Sequence, residues 1–415
     1  MSDEMNINDP SKKDKNEQLI VQNHKDILKI SPKTRTILIF AVISSLLYMI
    51  TFSFIIALKI DKKPNNKNES EIKRNYIFAK YNEDDRAEVR LFNSKYINLI
   101  SLIKVDGIDM PDISNSILFN LSGLHKIELF FKKELNSTAQ MFEYCQRLIE
   151  VDLSNLETKN IKNMEEMFFE CEALTSVNFN NFNTKKVISM KGLFFGCLLL
   201  NSLYINNFDT SNVEDMSKMF YYCEELSELN LTNFKTPKLK DMNNMFYDCY
   251  SLKSIDLSNF DTSKVVKMEG LFALCRNLQR VNIKNFDTSK VTDMSYMFGA
   301  NFALTSIDLS SFNTREVNKM INMFYSCESL TSLNISNFDT TKTEYMGEIF
   351  GKCSNLRIID IRNFNILGLK EKKNLFNEIN STGLIYYNSN KLDINLFNYS
   401  LENWTLLDLA KENEI

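Results

Sequence analysis

Residues 297–322 read MFGANFALTSIDLSSFNTREVNKMIN, and this unit of 26 residues is written nine times in succession. Each copy opens on Met, Leu or Ile followed by Phe, at Met141, Met167, Leu193, Met219, Met245, Leu271, Met297, Met323 and Ile349. No residue is inserted or deleted between copies. A fixed period of this length is the signature of a solenoid, in which one repeat stacks on the next. We therefore expect residues 141–374 to form nine stacked coils.

The apolar residues of the first half of each repeat predict a strand. Numbered from the opening residue, position 8 is Leu in all nine copies, position 11 is Val, Leu or Ile, and position 13 is Leu, Ile or Phe. Position 16 is Phe in eight copies and Leu156 in the first. Positions 11 and 13 alternate with polar residues, which is the period of a half-buried strand. The pattern LxxLxLxxF is that of a leucine-rich repeat.

The second half of each repeat has the spacing of a helix. Apolar residues at positions 21 and 24 are followed by those at 1, 2 and 5 of the next copy, as in Val291, Met294, Met297 and Phe298. On a helix these positions lie within about 120° of one face. Asp or Asn at position 17 and Thr at position 18 are N-cap candidates. The sequence thus predicts an α/β solenoid of strand–helix coils, with a shorter 3₁₀ stretch as the alternative to the helix.

The consensus MFxxCxxLxxLDLSNFDTSxVxxM is seen almost whole at residues 250–272, YSLKSIDLSNFDTSKVVKMEGLF. It resembles the BspA-type leucine-rich repeats of surface proteins, and the resemblance covers residues 141–374. It implies a leucine-rich-repeat fold and a protein attached to a membrane or wall that serves adhesion and protein binding.

The chain before the repeats divides by composition. Residues 1–36 are polar and mixed in charge, which predicts a disordered tail. Residues 37–58, ILIFAVISSLLYMITFSFIIAL, carry no charge and are long enough to cross a bilayer as one helix. A cleaved signal peptide is the alternative, which the long apolar run disfavours. Lysines on both sides leave the positive-inside rule undecided, and the resemblance places the repeats outside the cell. Residues 59–75 are a charged linker.

Two caps are expected because a solenoid exposes its core at both ends. The N-terminal cap, residues 76–140, has strand-like segments at 102–106, 117–121 and 126–131, the last two joined by a turn at SGLH. The C-terminal cap, residues 375–415, has a strand at 384–387 and a closing helix at 398–410 that contains Trp404.

All eight cysteines stand at position 5, and Asn301 takes the ninth place. They are Cys145, Cys171, Cys197, Cys223, Cys249, Cys275, Cys327 and Cys353. Each ends an apolar stripe, so we expect buried free thiols. Disulfides between coils are the first alternative, but stacked side chains point in parallel and not at each other. A metal site is the second, and no metal-binding Cys–His spacing occurs.

The composition favours binding over catalysis. The chain has two His, few Gly and a net charge of −4, so we expect no catalytic residues, no cofactor, no metal and no nucleic-acid partner. The candidate partner-binding residues are those at strand position 12, which alternation turns away from the core. They are Asp152, Asn178, Tyr204, Asn230, Asp256, Asn282, Asp308, Asn334 and Asp360. Parallel strands align them as a column about 40 Å long on the concave face.

Two uses of this column remain open. It binds an extended protein or glycan, or it is an Asn/Asp ladder that solvates the sheet and bonds along itself. The first use makes the chain a membrane-anchored surface protein for adhesion or protein recognition. The alternative is a structural coat or spacer with no specific ligand.

Overall fold

The computed structural model describes residues 75–83, 88–119, 122–366, 368–370, 374–392 and 403–410. From Met141 the chain winds as a β-solenoid in which each 26-residue repeat makes one coil. One side of every coil carries a short strand or an extended segment, and the other side is a chain of tight turns. The predicted tail and most of the predicted linker lie outside the described residues.

The described residues contain sixteen strands. They are β1 Tyr76–Glu83, β2 Glu88–Arg90, β3 Ile100–Val105, β4 Ile108–Asp109, β5 Ser116–Leu118, β6 Gly123–Phe131, β7 Leu148–Asp152, β8 Ser176–Asn178, β9 Ser202–Leu203, β10 Glu228–Leu229, β11 Ser254–Asp256, β12 Arg280–Asn282, β13 Ser332–Asn334, β14 Ile358–Asp360, β15 Gly383–Tyr387 and β16 Trp404–Asp408. A 3₁₀ helix, Ser94–Leu99, lies between β2 and β3.

The strands of the coils pair in parallel, in the register that the 26-residue period sets. Ser254 faces Arg280 and Asp256 faces Asn282 between β11 and β12, and Asn334 faces Asp360 between β13 and β14. Ser306–Asp308 of the seventh coil forms no strand, and strand pairing is interrupted there as well as between β8 and β9 and between β10 and β11. The predicted strand of the repeat is therefore confirmed in place, although it is only two to five residues long.

The predicted helix of the repeat is wrong. Its place is taken by consecutive turns. Their backbone N–H groups bond alternately to a carbonyl three residues earlier in the same coil and to a carbonyl of the next coil. The N–H of Cys145 donates back to the carbonyl of Phe142 at 3.0 Å, whereas the N–H of Phe142 donates to Met167 of the next coil at 2.8 Å. Residues at positions 26 and 4 take positive φ, as in Tyr144 at 59° and Glu166 at 53°. The described coils are strand–turn coils, and the chain is not a strand–helix leucine-rich repeat.

The reason for this difference is the spacing of the coils. Hydrogen bonds join neighbouring coils on the turn side as well as on the strand side, and β-ladder spacing is about 4.8 Å. A helix with its side chains is roughly 10–12 Å wide, so helices cannot stack at that distance. The apolar offsets fit a helical face, but they fit an inward-facing chain of turns equally well.

Columns of identical residues fill the interior. The Phe rings at position 2 stack from Phe142 to Phe376, with centroids of successive coils 5.2–6.2 Å apart. The Met, Leu and Val columns beside them are buried. Because each side chain is covered by its counterparts above and below, stacking provides the burial that one coil lacks.

The NFDT segment joins coils through side chains. In the fifth coil, Asn259 Nδ2 donates to the carbonyl of Thr232 in the coil before at 2.6 Å. Buried Thr262 donates to the carbonyl of Asp287 in the coil after at 3.0 Å and accepts from the N–H of that residue at 2.8 Å. Asp261 accepts from the N–H of Ser263, two residues on, at 3.1 Å. These residues are therefore coil connectors and turn formers, not the helix caps that we predicted.

The fourth coil departs from this motif in a compensated way. It has Lys235 at position 17, which offers no side-chain acceptor, and Pro237 at position 19, which offers no N–H. In six other coils an Asp or Asn at position 17 accepts from the N–H at position 19, as Asp209 does from Ser211 at 3.0 Å. Lys235 removes the side-chain acceptor, and Pro237 removes the N–H that would donate to it. No N–H at position 19 is therefore left without a partner in this coil.

The N-terminal cap covers the first coil with antiparallel strands. The sheet order is β4-β3-β6-β1-β7-β8, and Ala79 of β1 pairs with Val151 of β7. The predicted strands at 102–106, 117–121 and 126–131 correspond to β3, β5 and β6. The expected hairpin between the last two is wrong, because β5 pairs with β2 and β6 pairs with β1 and β3.

The C-terminal cap closes with a strand where we predicted a helix. β16 pairs in parallel with β15, and Trp404 lies against Gly383, where a Cβ would come within 2.5 Å of the indole. Trp404 Nε1 donates to the carbonyl of Asn380 at 2.9 Å. Trp404–Asp408 therefore extends the sheet by one strand.

The predicted membrane helix at 37–58 lies outside the described residues. Among those that are described, no helix has the length and apolar character needed to cross a bilayer. The location predicted from the sequence, a single-pass membrane protein with its repeats outside the cell, is not supported by this structure and is withdrawn.

Candidate binding surface

The strand side presents one continuous polar surface. Alternation along each strand buries positions 11 and 13, as in Ile255 and Leu257, and turns positions 10, 12 and 14 outward. The structure brings the nine predicted residues, Asp152, Asn178, Tyr204, Asn230, Asp256, Asn282, Asp308, Asn334 and Asp360, to equivalent places in successive coils, one per coil. We call this set the position-12 column.

Most of the position-12 column is bonded to its own backbone. Seven members accept a hydrogen bond at Oδ1 from the N–H two residues later, at 2.8–3.3 Å: Asp152, Asn178, Asn230, Asp256, Asp308, Asn334 and Asp360. This Asx turn ends the strand and bends the chain towards position 16. The column is therefore in part structural: seven of its members bond within their own coil, and Asp256 also forms a side-chain hydrogen bond with Asn282 of the next coil.

The electrostatics of the column follow from these bonds. Hydrogen bonds from Ser258 and Ser310 hold the pKa of Asp256 and of Asp308 below the usual value of the carboxyl. Asp360 differs, since it is buried and binds the guanidinium of Arg362, with Nε 2.9 Å from Oδ1. The face thus carries fixed negative charges separated by neutral Asn and Ser.

Tyr204 is the exception in the column. Its side chain is 80% exposed, and it stands between Asn178 and Asn230 in the neighbouring coils. An aromatic side chain with this exposure contributes little to the packing of the coil.

Open grooves run along this face on both sides of Tyr204. One of about 610 Å³ lies between Tyr204 and the N-terminal cap, and one of about 340 Å³ lies between Tyr204 and Ser254. A third, of about 670 Å³, follows residues 229–232, 254–256, 280–282 and 306–308. The face is a shallow track and not an enclosed pocket.

Three residues of this surface were not among those we predicted. Phe78 and Lys80 of β1 line the groove beside Asp152, and Lys80 pairs with Glu150. Tyr386 continues the position-12 column, because β15 pairs with β14 so that Tyr386 faces Asp360. Tyr386 lies one 26-residue period after Asp360, so its place in the column could have been predicted from the sequence. Nothing in the repeat indicates the contribution of β1.

The predicted burial of the cysteines is confirmed. All eight are buried free thiols, and seven donate to the position-2 carbonyl of the preceding coil, as Cys223 does to Phe194 at 3.1 Å. Burial raises the pKa of Cys145 to about 12. In the part of the chain that is described, no group of His, Cys, Asp and Glu side chains could hold a metal ion.

One protein family matches the sequence. The family model described as "Mycoplasma protein of unknown function, DUF285" matches four overlapping segments, residues 133–255, 241–356, 267–385 and 300–409. Together they cover more than half of the 415 residues and include every coil. No curated protein matches the sequence.

Proposed function

Because the chain belongs to the DUF285 family of Mycoplasma proteins of unknown function, we propose its role from the geometry of the coils: it recognises a protein partner through the strand face. The observation that carries the proposal is Tyr204. It is exposed on both grooves, and the coil does not use it for packing. Tyr is enriched among the residues that dominate binding energy at protein interfaces. The resemblance of the repeats to BspA-type units of surface adhesion proteins supports the same role.

The binding role is non-catalytic in this proposal. The polar groups along the grooves are carboxylates, amides, hydroxyls and single cations on open surface. An extended segment of a partner lying across several strands would meet a regular array of these groups, with Tyr204 as the apolar anchor.

A second candidate is a coat or spacer without a specific ligand. One observation favours it: seven members of the position-12 column already bond to their own backbone. In that case the polar face serves only to end the strands and to solvate the sheet.

Site-specific photo-crosslinking distinguishes the two. A photoreactive phenylalanine analogue is placed at Tyr204 and, as a matched control, at Tyr296, which is exposed on the turn side. Recognition predicts one discrete adduct from position 204 in cells and none from position 296. The purified partner should then bind Tyr204→Ala at least about tenfold more weakly than the unsubstituted protein, with an unchanged melting curve. No adduct, or equal adducts at both positions, would favour the coat.

A further inference from the structure

A ladder of aromatic rings lies on the turn side of coils two to five. Position 3 is Phe169, Phe195, Tyr221 and Tyr247 in these coils, and their centroids are 4.4, 4.6 and 4.5 Å apart with planes within 16° of parallel. Tyr222 packs edge-on against the last three rings. All five side chains are half-buried, so one edge of each ring meets solvent. We call the four stacked rings the aromatic ladder.

The fold does not require rings at this position. Coils six, seven and nine carry Ala273, Gly299 and Gly351 there. Their backbones make the same contact between coils: the carbonyl of Gly299 accepts from Leu274 at 2.8 Å, as that of Phe195 accepts from Glu170 at 2.7 Å. The rings of coils two to five are therefore additional to what stacking needs.

Acidic residues are concentrated in the turn segments of the aromatic ladder. The turn segments that flank or contain it, residues 139–147, 165–173, 191–199, 217–225 and 243–251, hold eight acidic and three basic residues. The four later turn segments, 269–277, 295–303, 321–329 and 347–355, hold three acidic and two basic residues. Excess negative charge thus coincides with the rings. The acidic residues around the ladder are Glu143, Glu165, Glu166, Glu170, Glu172, Glu224, Glu225 and Asp248.

Two of these carboxyls lie partly out of water. Burial, together with the charge of Glu172, raises the pKa of Glu170. Burial also raises the pKa of Asp248, with Arg276 opposing and Glu224 adding to the effect. Glu170 is held against Gly196 of the next coil, where a Cβ would lie 2.9 Å from its carboxyl carbon. A cation placed here would compensate charge that the protein leaves only partly neutralised.

We propose that the aromatic ladder and its carboxylate rim bind a Lys- or Arg-rich polypeptide segment. Cations are attracted to aromatic rings and to carboxylates alike, and Lys218 already lies with Nζ 5.8 Å from the ring centroid of Tyr221. The ladder is roughly 13 Å long, which about four residues of extended chain can follow. This surface is separate from the position-12 column, so it gives the solenoid a second partner.

The test uses the full chain and a fluorescein-labelled peptide of alternating Gly and Arg, eight residues long, with a Gly–Glu peptide as the charge control. Fluorescence anisotropy is read at about 0.05 and 0.3 M NaCl, because an electrostatic contact weakens as salt screens it. We expect the Arg peptide to bind and the Glu peptide not to bind. The combined variant Phe195→Ala, Tyr221→Ala and Tyr247→Ala should bind at least tenfold more weakly.

Three controls keep the proposal falsifiable. Tyr247→Ala alone copies the natural Ala273, so it should fold and still weaken binding severalfold. Glu224→Gln with Glu225→Gln should weaken binding and reduce its salt dependence. Tyr204→Ala and Tyr325→Ala, outside the aromatic ladder, should leave binding unchanged. The proposal fails if the Glu peptide binds as well, if the Tyr247→Ala protein binds the Arg peptide fully, or if Tyr204→Ala removes the binding.

Discussion

At the scale of single residues, the threonine of the NFDT segment links its coil to the next through its hydroxyl. Thr262 is buried, and its hydroxyl both donates to and accepts from the backbone of Asp287. Equivalent donations to the next coil come from Thr184, Thr210, Thr236, Thr288, Thr314 and Thr340. A hydroxyl that satisfies a donor and an acceptor of another coil fixes both the distance and the register between them.

Replacing Thr262 should separate the role of its hydroxyl from that of its shape. Thr262→Val keeps the volume but leaves the N–H and carbonyl of Asp287 without their side-chain partner, so we expect a loss of about 1–3 kcal/mol in the free energy of unfolding. Thr262→Ser keeps the hydroxyl and should cost less. Urea denaturation measures both, and equal losses for Val and Ser would show that the hydrogen bonds contribute nothing.

Asn301 is the one break in the cysteine column. It is fully buried, and its Nδ2 donates to Phe272 at 2.9 Å and to Phe298 at 2.7 Å, while Oδ1 has no hydrogen-bond partner among the described atoms. A buried acceptor without a donor costs about 1–3 kcal/mol.

Asn301→Cys should therefore stabilise the protein by about 1 kcal/mol or more. A thiol at this position can donate to Phe272 as the other cysteines donate to their position-2 carbonyls, and it leaves no strong acceptor unpaired. Thermal and urea denaturation under reducing conditions measure the change. A lower midpoint than that of the unsubstituted protein would show that the Asn amide is better accommodated than its contacts indicate.

At the scale of elements, each coil is shaped by short polar side chains that accept from the N–H two residues later. Position 12 ends the strand in this way, and position 17 begins the turn side. Position 23 repeats the contact in five coils, as when Asp215 accepts from the N–H of Ser217 at 2.8 Å. Asn and Asp are the commonest residues at positions 12 and 17, and both offer the same acceptor oxygen. Where Asp is used, the contact depends on its charge.

Acid should destabilise the solenoid through these aspartates. Hydrogen bonds from Ser263, Ser289 and Thr341 hold the pKa of Asp261, Asp287 and Asp339 below the usual value. A carboxyl whose folded-state pKa is lowered stabilises the fold above its unfolded-state pKa of about 3.9, and this contribution is lost as pH falls through the folded-state pKa. We therefore expect the urea concentration at the unfolding midpoint to decrease as the pH is lowered below about 4.

Asn substitutions test this origin of the acid sensitivity. Asp261→Asn, Asp287→Asn and Asp339→Asn keep the acceptor oxygen and copy the natural Asn183 and Asn313, so the loss of stability in acid should become shallower. The control Glu225→Gln, Glu228→Gln and Glu328→Gln removes as many negative charges from exposed positions. If both triple variants change the pH profile alike, overall charge and not the Asx contact is responsible.

At the scale of the whole molecule, stability is distributed along one dimension. Each coil of the solenoid interior contacts the coil before and the coil after through the strands, the Phe column, the Thr column and the turns. The total free energy of unfolding is then close to a sum of the contributions of the single coils and of the interfaces between them. The caps differ in construction, but both place a strand on the terminal coil: antiparallel β1 on β7 at one end, and parallel β15 on β14, followed by β16, at the other.

Removal of one whole coil should be tolerated. Deleting residues 245–270 joins Asn244 to Leu271 and keeps every column in register, so we expect a folded protein with a lower melting temperature. Deleting residues 245–257, about half a coil, places polar residues in the core columns and should prevent cooperative folding. Circular dichroism and thermal melts distinguish the outcomes; two proteins of equal stability would contradict the register of the coils.

Much of this architecture follows from the sequence by itself. The 26-residue period determines the number of coils, and the apolar columns at positions 1, 2, 5, 8, 11, 13, 16, 21 and 24 determine what is buried, including the thiols. The alternation of positions 11 to 13 determines where the strand lies and which side chains form the position-12 column. These properties depend on pattern alone, because identical repeats must bury identical residues when they stack.

The tertiary structure alone decided the conformation of the turn side. Offsets of three and four residues suit a helix, but a helix satisfies its own backbone and needs about twice the spacing that β-pairing imposes on successive coils. Only the stacked structure shows that alternate N–H groups of the turns bond to the next coil. For the same reason the grooves around Tyr204 and the aromatic ladder could not be predicted: each depends on the distance between coils, which no single repeat specifies.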